Sequence, residues 1–142
     1  MRVIRTEIEI AAPPAAVWAA LTDFGGYPEW NPFITSADGR LAVGEILTLE
    51  FVLEGGKPQT FTPSVTSIRE NAELQWLGAL RWSWLFSTEH RFALTAVGSG
   101  TRLVHSEVFR GLLVPLLRNT IDRTERAFRA LNSALRDRVE SS

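Results

Sequence analysis

The chain has 142 residues, no cysteine and a formal net charge of -1, with 45% hydrophobic and 22% charged residues. This length suits one domain with a substantial core, and the charge balance excludes both intrinsic disorder and a polyanion-binding surface, so nucleic acid is not an expected partner. Without cysteine, disulfides and thiolate chemistry are excluded; without a signal-like start or a run of about 20 apolar residues, we expect a cytoplasmic protein with no integral membrane segment.

The first part of the chain predicts one strand followed by two short helices. Val3 to Ile10 alternates apolar and polar side chains weakly, which is typical of a strand. Pro13-Pro14 suits the first turn of a helix, where a missing N–H does no harm, and Ala15 to Thr22 is rich in helix-forming residues. The glycines and prolines between Gly25 and Pro32 break regular structure and leave room for a short helical turn.

From Phe33 onward, short alternating segments separated by turn residues predict consecutive antiparallel strands. The segments run from Phe33 to the turn at Asp38-Gly39, then Ile46 to Leu53, Gln59 to Ile68, Leu74 to Leu80, Trp82 to Ala96 and Thr101 to Phe109. Pro63 weakens the segment that contains it, because a sheet tolerates proline best at an edge or a bulge.

The final segment, from Val114 to Val139, changes period and predicts a long amphipathic helix. Its apolar positions recur at steps of three and four residues: Val114, Leu117, Ile121, Thr124, Phe128, Leu131, Leu135 and Val139. The opposite, arginine-rich side is expected to be a solvated helix surface, with a membrane-facing or partner-facing role as the alternative. A stripe of this length cannot be buried by the short helices, so the helix is expected to lie across the concave face of the sheet.

Five parts of the sequence together resemble a known superfamily. They are Ile10-Ala11-Ala12-Pro13 with Val17-Trp18, Trp30-Asn31-Pro32, Leu74-Gln75-Trp76-Leu77-Gly78, His90-Arg91-Phe92, and His105-Ser106-Glu107-Val108-Phe109-Arg110-Gly111. These motifs are similar to those of the SRPBCC superfamily, and more narrowly of its polyketide cyclase/dehydrase-type branch of small bacterial proteins.

The resemblance covers almost the whole chain and implies a single START-like domain over residues 1–142. The implied fold is α+β, a helix-grip in which a curved antiparallel sheet of about seven strands wraps around a long C-terminal helix, with two short helices after the first strand. It also implies a hydrophobic cavity between sheet and helix, used across the superfamily for lipids, sterols, polyketides or hormones. Because such pockets are mostly metal-free, we expect no cofactor.

Three ionisable residues lie on the otherwise apolar faces of the last two predicted strands. His105 and Glu107 are two residues apart, so they share a strand face and form a candidate catalytic acid/base pair. A purely structural hydrogen-bonded pair, helped by Arg102 or Arg110, is the alternative. His90 is predicted to orient the polar end of a bound molecule. Together, the two histidines and the carboxylate also match the number of side chains that coordinate a metal ion. We set that interpretation aside because no tight spacing supports it.

Large apolar side chains on the same predicted faces are the candidate ligand-binding residues, because apolar and aromatic surface around a few polar groups is typical of a pocket. With His90, they are Trp82, Trp84, Phe86, Phe92, Phe51, Phe109, Leu117 and Ile121. For Trp82 and Trp84, which follow Arg81, contact with a ligand at a cavity mouth and packing in the core are equally compatible with the sequence. Trp76 is expected to pack within the sheet.

Three functions are compatible with these observations. The first is carriage or sequestration of a hydrophobic small molecule or lipid in an internal cavity. The second is an enzyme of the polyketide cyclase, aromatase or dehydratase type that uses Glu107 and His105 as acid and base. The third is a chaperone-associated or other protein-interaction module. The oligomeric state and the identity of the ligand are not determined by the sequence.

Overall fold

The computed structural model describes all 142 residues and has the α+β architecture that the sequence predicts. The strands, β1 to β8 in chain order, are Arg2–Ile10, Ile34–Asp38, Thr48–Phe51, Gln59–Phe61, Ser64–Arg69, Glu73–Ala79, Ser87–Val97 and Gly100–Arg110. The helices are α1 (Pro14–Thr22), α2 (Tyr27–Trp30) and α3 (Arg118–Glu140), with 3-10 turns at Phe24–Gly26 and Val114–Leu117. Two short helices thus follow the first strand, as expected.

The strands form two antiparallel sheets rather than one continuous sheet. The larger sheet has the order β1-β8-β7-β6-β5, and the smaller has the order β2-β3-β4. The predicted single strand from Gln59 to Ile68 is wrong, because it divides at Pro63 into β4 and β5. Proline has no N–H to give to a ladder, yet its carbonyl accepts from the Leu47 N–H, and the two sheets are joined at this point.

The segment after β6 is a loop where the sequence predicted the start of a strand. Pairing of β6 with β7 ends at Ala79 and Ser87, so the predicted strand from Trp82 is wrong over its first five residues. The Leu85 N–H donates to the Trp82 carbonyl in a turn, and the Leu113 N–H donates to the Leu85 carbonyl. This loop is therefore held against the segment that leads into the C-terminal helix.

The long helix α3 packs its apolar side against β1, β8 and α1. Its buried residues match the predicted stripe, with the addition of Asn132: Ile121, Thr124, Phe128, Leu131, Asn132, Leu135 and Val139. The regular helix begins at Arg118, four residues after the predicted start at Val114, because the proline-containing segment before it forms a 3-10 turn. No helix of the chain is both long enough and apolar enough to span a bilayer.

Candidate functional site

A partly open cavity of about 230 Å³ lies between the two sheets and the beginning of α3. Ten of its sixteen lining residues are hydrophobic. The lining residues are Phe33, Ile34, Leu49, Phe51, Leu53, Gln59, Phe61, Trp76, Phe86, Thr88, His90, Glu107, Phe109, Leu117, Thr120 and Thr124. The only ionisable members, His90 and Glu107, are both on the larger sheet, where they form a polar wall with Thr88; the other polar lining residues, Gln59, Thr120 and Thr124, are uncharged.

The smaller sheet closes over the larger one at a glycine. A Cβ atom added to Gly78 on β6 would lie 1.9 Å from Cζ of Phe61, so the Phe61 ring rests directly on the backbone of the facing sheet. Any side chain at this position would force the ring to move, and Phe61 itself lines the cavity. Gly78 therefore sets how closely the two sheets approach.

The polar wall of the cavity begins with Glu107 on β8 and His90 on β7, which are directly opposite each other in the antiparallel ladder. Oε1 of Glu107 lies 3.8 Å from Nδ1 of His90. Burial raises the pKa of Glu107 from its usual 4.5 to about 7, because removing the carboxylate from water disfavours its charge. At neutral pH this carboxyl is poised between its acid and its ionised form.

Thr88 is the polar neighbour of Glu107 in the same wall. Its hydroxyl lies near enough to oppose the burial-driven rise of the Glu107 pKa. It does not reach regular hydrogen-bonding geometry, however, and Oγ1 remains buried without a partner. A buried unpaired hydroxyl is uncommon and costs free energy. This one lies on the wall of the cavity.

Behind His90, a chain of hydrogen bonds crosses the core away from the cavity. Nε2 of His90 lies 2.7 Å from Nε2 of His105, and Nδ1 of His105 lies 2.8 Å from Oδ1 of Asn132 on α3. The amide of Asn132 donates to the Thr6 hydroxyl at 2.8 Å, and that hydroxyl donates to the His105 carbonyl at 3.0 Å. All four residues are buried, and the chain ties β1, β7, β8 and α3 together.

Aromatic rings enclose the two histidines. The His105 ring is stacked between Phe128, with centroids 3.7 Å apart, and Phe92, with centroids 4.3 Å apart. The indole of Trp76 lies 4.7 Å from the His90 ring. Burial among these rings lowers the pKa of His105 to about 3 and the pKa of His90 well below its usual value, with repulsion from His105 as a second cause for His90. Both rings are neutral at physiological pH.

The structure separates the two residues that the sequence proposed as an acid/base pair. Glu107 lines the cavity, whereas His105 is fully buried behind His90 and does not reach the cavity surface. Residues two apart on a strand share a face, but the cross-strand neighbour is closer, so the partner of Glu107 is His90. Arg110 and Arg102 do not assist Glu107, because they pair with Glu89 and with acidic residues of β1 instead.

The predicted ligand-binding residues divide into two groups. Five of them line the cavity: His90, Phe86, Phe51, Phe109 and Leu117. Phe92 and Ile121 are buried in the core beside it, while Trp82 and Trp84 lie on the loop before β7 with 51% and 61% of their surfaces exposed. The two tryptophans thus neither pack in the core nor line the cavity, because their segment leaves the sheet after Ala79.

Sequence reasoning missed several lining residues, and some carried a usable signal. Leu49 and Leu53 have the same parity as Phe51, and Thr88 has the same parity as His90, so alternation alone indicates the shared face. Trp76, expected in the sheet, also lines the cavity because it pairs with His90 in the ladder. Thr124 belongs to the predicted stripe of the long helix, as Leu117 does. Phe33, Phe61 and Thr120 gave no comparable signal, since only the packing of the smaller sheet and α3 brings them there.

The two histidines and Glu107 do not form a metal-binding group. Nε2 of one ring faces Nε2 of the other at hydrogen-bonding distance, and Nδ1 of His105 is bonded to Asn132. Three of the four ring nitrogens are therefore occupied by hydrogen bonds within the protein.

Comparison with known proteins identifies the family of this chain. The family model for polyketide cyclase/dehydrase and lipid transport matches residues 1–140. This match confirms the resemblance carried by the sequence motifs. No curated protein matches the sequence.

Solved structures with the same fold cover nearly the whole chain. A protein from Mesorhizobium loti has a TM-score of 0.79 at 21% identity, covering 99% of this chain and 98% of its own. A START superfamily protein from Mycobacterium smegmatis has a TM-score of 0.75 at 24% identity, with coverages of 98% and 97%. The Zhui aromatase/cyclase from a Streptomyces species has a TM-score of 0.79 at 18% identity, with coverages of 98% and 93%. At these identities the likeness establishes the fold and leaves the activity open.

Proposed function

We propose that this chain, which belongs to the polyketide cyclase/dehydrase and lipid transport family, binds a small and mainly apolar molecule in the cavity described above. The supporting observation is a mainly apolar cavity whose ionisable side chains lie on one wall, formed by His90, Glu107 and Thr88. Such a lining is typical of ligand sites, in which a few polar groups fix the orientation of a molecule held by apolar contact.

The volume of the cavity limits the size of the ligand. An apolar cavity of about 150 Å³ is large enough for benzene. At about 230 Å³, this cavity has room for a molecule of about two fused rings or a short acyl chain. Carriage or sequestration of a ligand of this size is the function that these side chains support best.

A second candidate is an enzyme of the cyclase, aromatase or dehydratase type, favoured by the carboxyl of Glu107. A general acid or base works best with a pKa near the working pH, and burial raises the pKa of Glu107 to about 7. His90 then replaces His105 as the imidazole that contacts a substrate. For this function, Glu107→Gln is expected to abolish turnover while leaving binding nearly intact.

The binding function is tested by blocking the cavity. Thr124 lines the cavity from α3, so Thr124→Phe should fill part of it; Thr95→Phe makes the same change at an exposed position of β7. Native mass spectrometry of gently purified protein would detect a bound small molecule, and calorimetry with 2-naphthol would measure affinity. We expect at least about tenfold weaker binding for Thr124→Phe and none of this loss for Thr95→Phe. Equal affinity in all three proteins, or no binding of apolar molecules at all, would contradict the proposal.

A further inference from the structure

The hydroxyl of Thr6 fixes the orientation of a buried amide. A threonine hydroxyl has one hydrogen, and here it is donated to the carbonyl of His105. Toward Asn132, Oγ1 of Thr6 can therefore only accept, which places the NH₂ group of Asn132 beside Thr6 and its Oδ1 beside His105. This assignment follows from the hydrogen-bond network alone.

The amide of Asn132 in turn fixes both imidazoles. Oδ1 of Asn132 accepts, so Nδ1 of His105 carries the hydrogen and its Nε2 presents a lone pair. Nε2 of His90 must then donate across the 2.7 Å contact. A neutral imidazole has only one N–H, so Nδ1 of His90 is left as a bare acceptor on the polar wall of the cavity.

No group of the protein satisfies this acceptor. Oε1 of Glu107, the neighbour across the ladder, is 3.8 Å away, which is too far for a hydrogen bond. A ligand oxygen about 2.8 Å from both atoms would fit between them, donating to Nδ1 of His90 and meeting the Glu107 carboxyl. The wall is thus shaped for one oxygen that carries a hydrogen.

The same wall offers no positive charge to an anion. No lysine or arginine lines the cavity. Arg2 on β1 and Arg110 on β8 are engaged at the surface with Asp122 and Glu89. A carboxylate at the polar end would face the lone pair of His90 and the carboxyl of Glu107 without a compensating charge, and burying an unpaired charge is costly.

We propose that the cavity selects a neutral ligand with a hydrogen-bond donor, an alcohol or a phenol, at its polar end, and that Asn132 is the positioning residue that presents the acceptor of His90 to it. This inference rests on the proposed binding function and adds the chemical class of the ligand. Asn132 acts through His105 and does not touch the ligand.

The first test compares four bicyclic probes of similar size by calorimetry at one pH. 2-Naphthol can donate, 2-methylnaphthalene and 2-methoxynaphthalene cannot, and 2-naphthoate is an anion. We expect 2-naphthol to bind at least about tenfold more tightly than the two neutral non-donors, and 2-naphthoate to bind most weakly. Equal affinity of the three neutral probes, or tighter binding of 2-naphthoate, would overturn this inference alone. If none of the probes binds, the proposed function fails and this inference fails with it.

The second test reads the tautomers without any ligand. ¹⁵N NMR of the two histidines should show Nδ1 of His90 and Nε2 of His105 without a hydrogen; a protonated Nδ1 in His90 would overturn the inference whatever binds. In Thr6→Val nothing fixes the orientation of the Asn132 amide, so the single tautomer of each histidine should give way to a mixture and the preference for 2-naphthol should be largely lost. Asn132→Leu should likewise remove the preference, and Thr6→Val serves where that variant does not fold. An unchanged preference in a folded variant would contradict the positioning role.

Discussion

His90 and His105 share one hydrogen between their Nε2 atoms, 2.7 Å apart, and only His90 reaches the cavity. Two neutral imidazoles can share such a contact only if one donates and the other accepts. The burial that keeps both rings neutral also gives the protein several pH-dependent properties that can be measured.

The titration of the histidines is the most direct of these. Burial lowers the pKa of His105 to about 3 and the pKa of His90 well below 6.5. The unfolded chain takes up protons first as the pH falls, so the stability that these groups confer is complete above about pH 6.5 and is lost toward pH 3. We expect neither ring to titrate in the folded protein before acid unfolding begins. NMR can follow this easily, since the chain has only two histidines, and a ring titrating near pH 6.5 would contradict the prediction.

Glu107 has the opposite effect on stability. Because burial raises its pKa from 4.5 to about 7, the unfolded chain loses this proton first, and the stability that the group confers is present below pH 4.5 and lost as the pH rises through 7. A shift of this size corresponds to about 3 kcal/mol. As the pH rises from about 4.5 to about 8, the unfolding free energy of Glu107→Gln should therefore rise by about 3 kcal/mol relative to that of the wild type.

Urea unfolding of both proteins across this pH range measures the difference. Glu70→Gln, at an exposed turn position, is the control for replacing a carboxyl by an amide. If unfolding free energy depends on pH in the same way for the wild type and Glu107→Gln, the pKa of Glu107 is not raised. The enzymatic alternative then loses its main support.

Thr88 offers a test of the polar wall itself. Its buried hydroxyl has no partner, so Thr88→Val, which keeps the shape and removes the oxygen, should raise the free energy of unfolding by about 1 kcal/mol. The pKa of Glu107 should rise further, because the hydroxyl that opposes the effect of burial is gone. Thermal unfolding and the pH dependence of stability measure the two effects, with Thr95→Val on the exposed side of β7 as the control. A loss of stability would mean that the hydroxyl has a partner.

The fold was predictable from sequence because alternation and helical periodicity report which face of an element is buried. The last two strands show this best: the inward positions of β7 and β8 include His90, His105 and Glu107, as their parity indicates. Parity does not give register, however, so the sequence paired Glu107 with His105 along one strand. In the structure its partner is His90 on the next strand.

The hydrogen-bond chain was out of reach of the sequence for a related reason. Asn132 lies among the apolar positions of α3, and Thr6 among those of β1, more than a hundred residues apart, yet they bond to each other. Each is an unremarkable polar residue within its own element. Only the packing of α3 across the sheet brings them to His105.

Substitution of the two exposed tryptophans tests whether either of them contacts a ligand. The sequence makes Trp82 and Trp84 candidates for ligand contact, with core packing as the equal alternative. They lie outside the cavity on the loop before β7, with their rings 6.4 Å apart. Exposed side chains contribute little to stability. Trp82→Ser and Trp84→Ser should therefore change unfolding free energy by less than about 0.5 kcal/mol each. If either substitution weakens binding of 2-naphthol several-fold, the original prediction of ligand contact is confirmed for that residue.

Gly78 and Phe61 provide the sharpest test of how the two sheets shape the cavity. The Phe61 ring occupies the space that a Cβ atom on Gly78 would need, so Gly78→Ala must displace a ring that lines the cavity. Overpacking of this kind costs about 1 to 3 kcal/mol, and we expect a loss of this size together with several-fold weaker binding of 2-naphthol. Phe61→Leu removes the clash, so Gly78→Ala should be far less costly in a Phe61→Leu background. A double-mutant cycle by urea unfolding isolates this coupling. Additive effects would show that the ring does not rest on Gly78, and that Gly78 does not set how closely the two sheets approach.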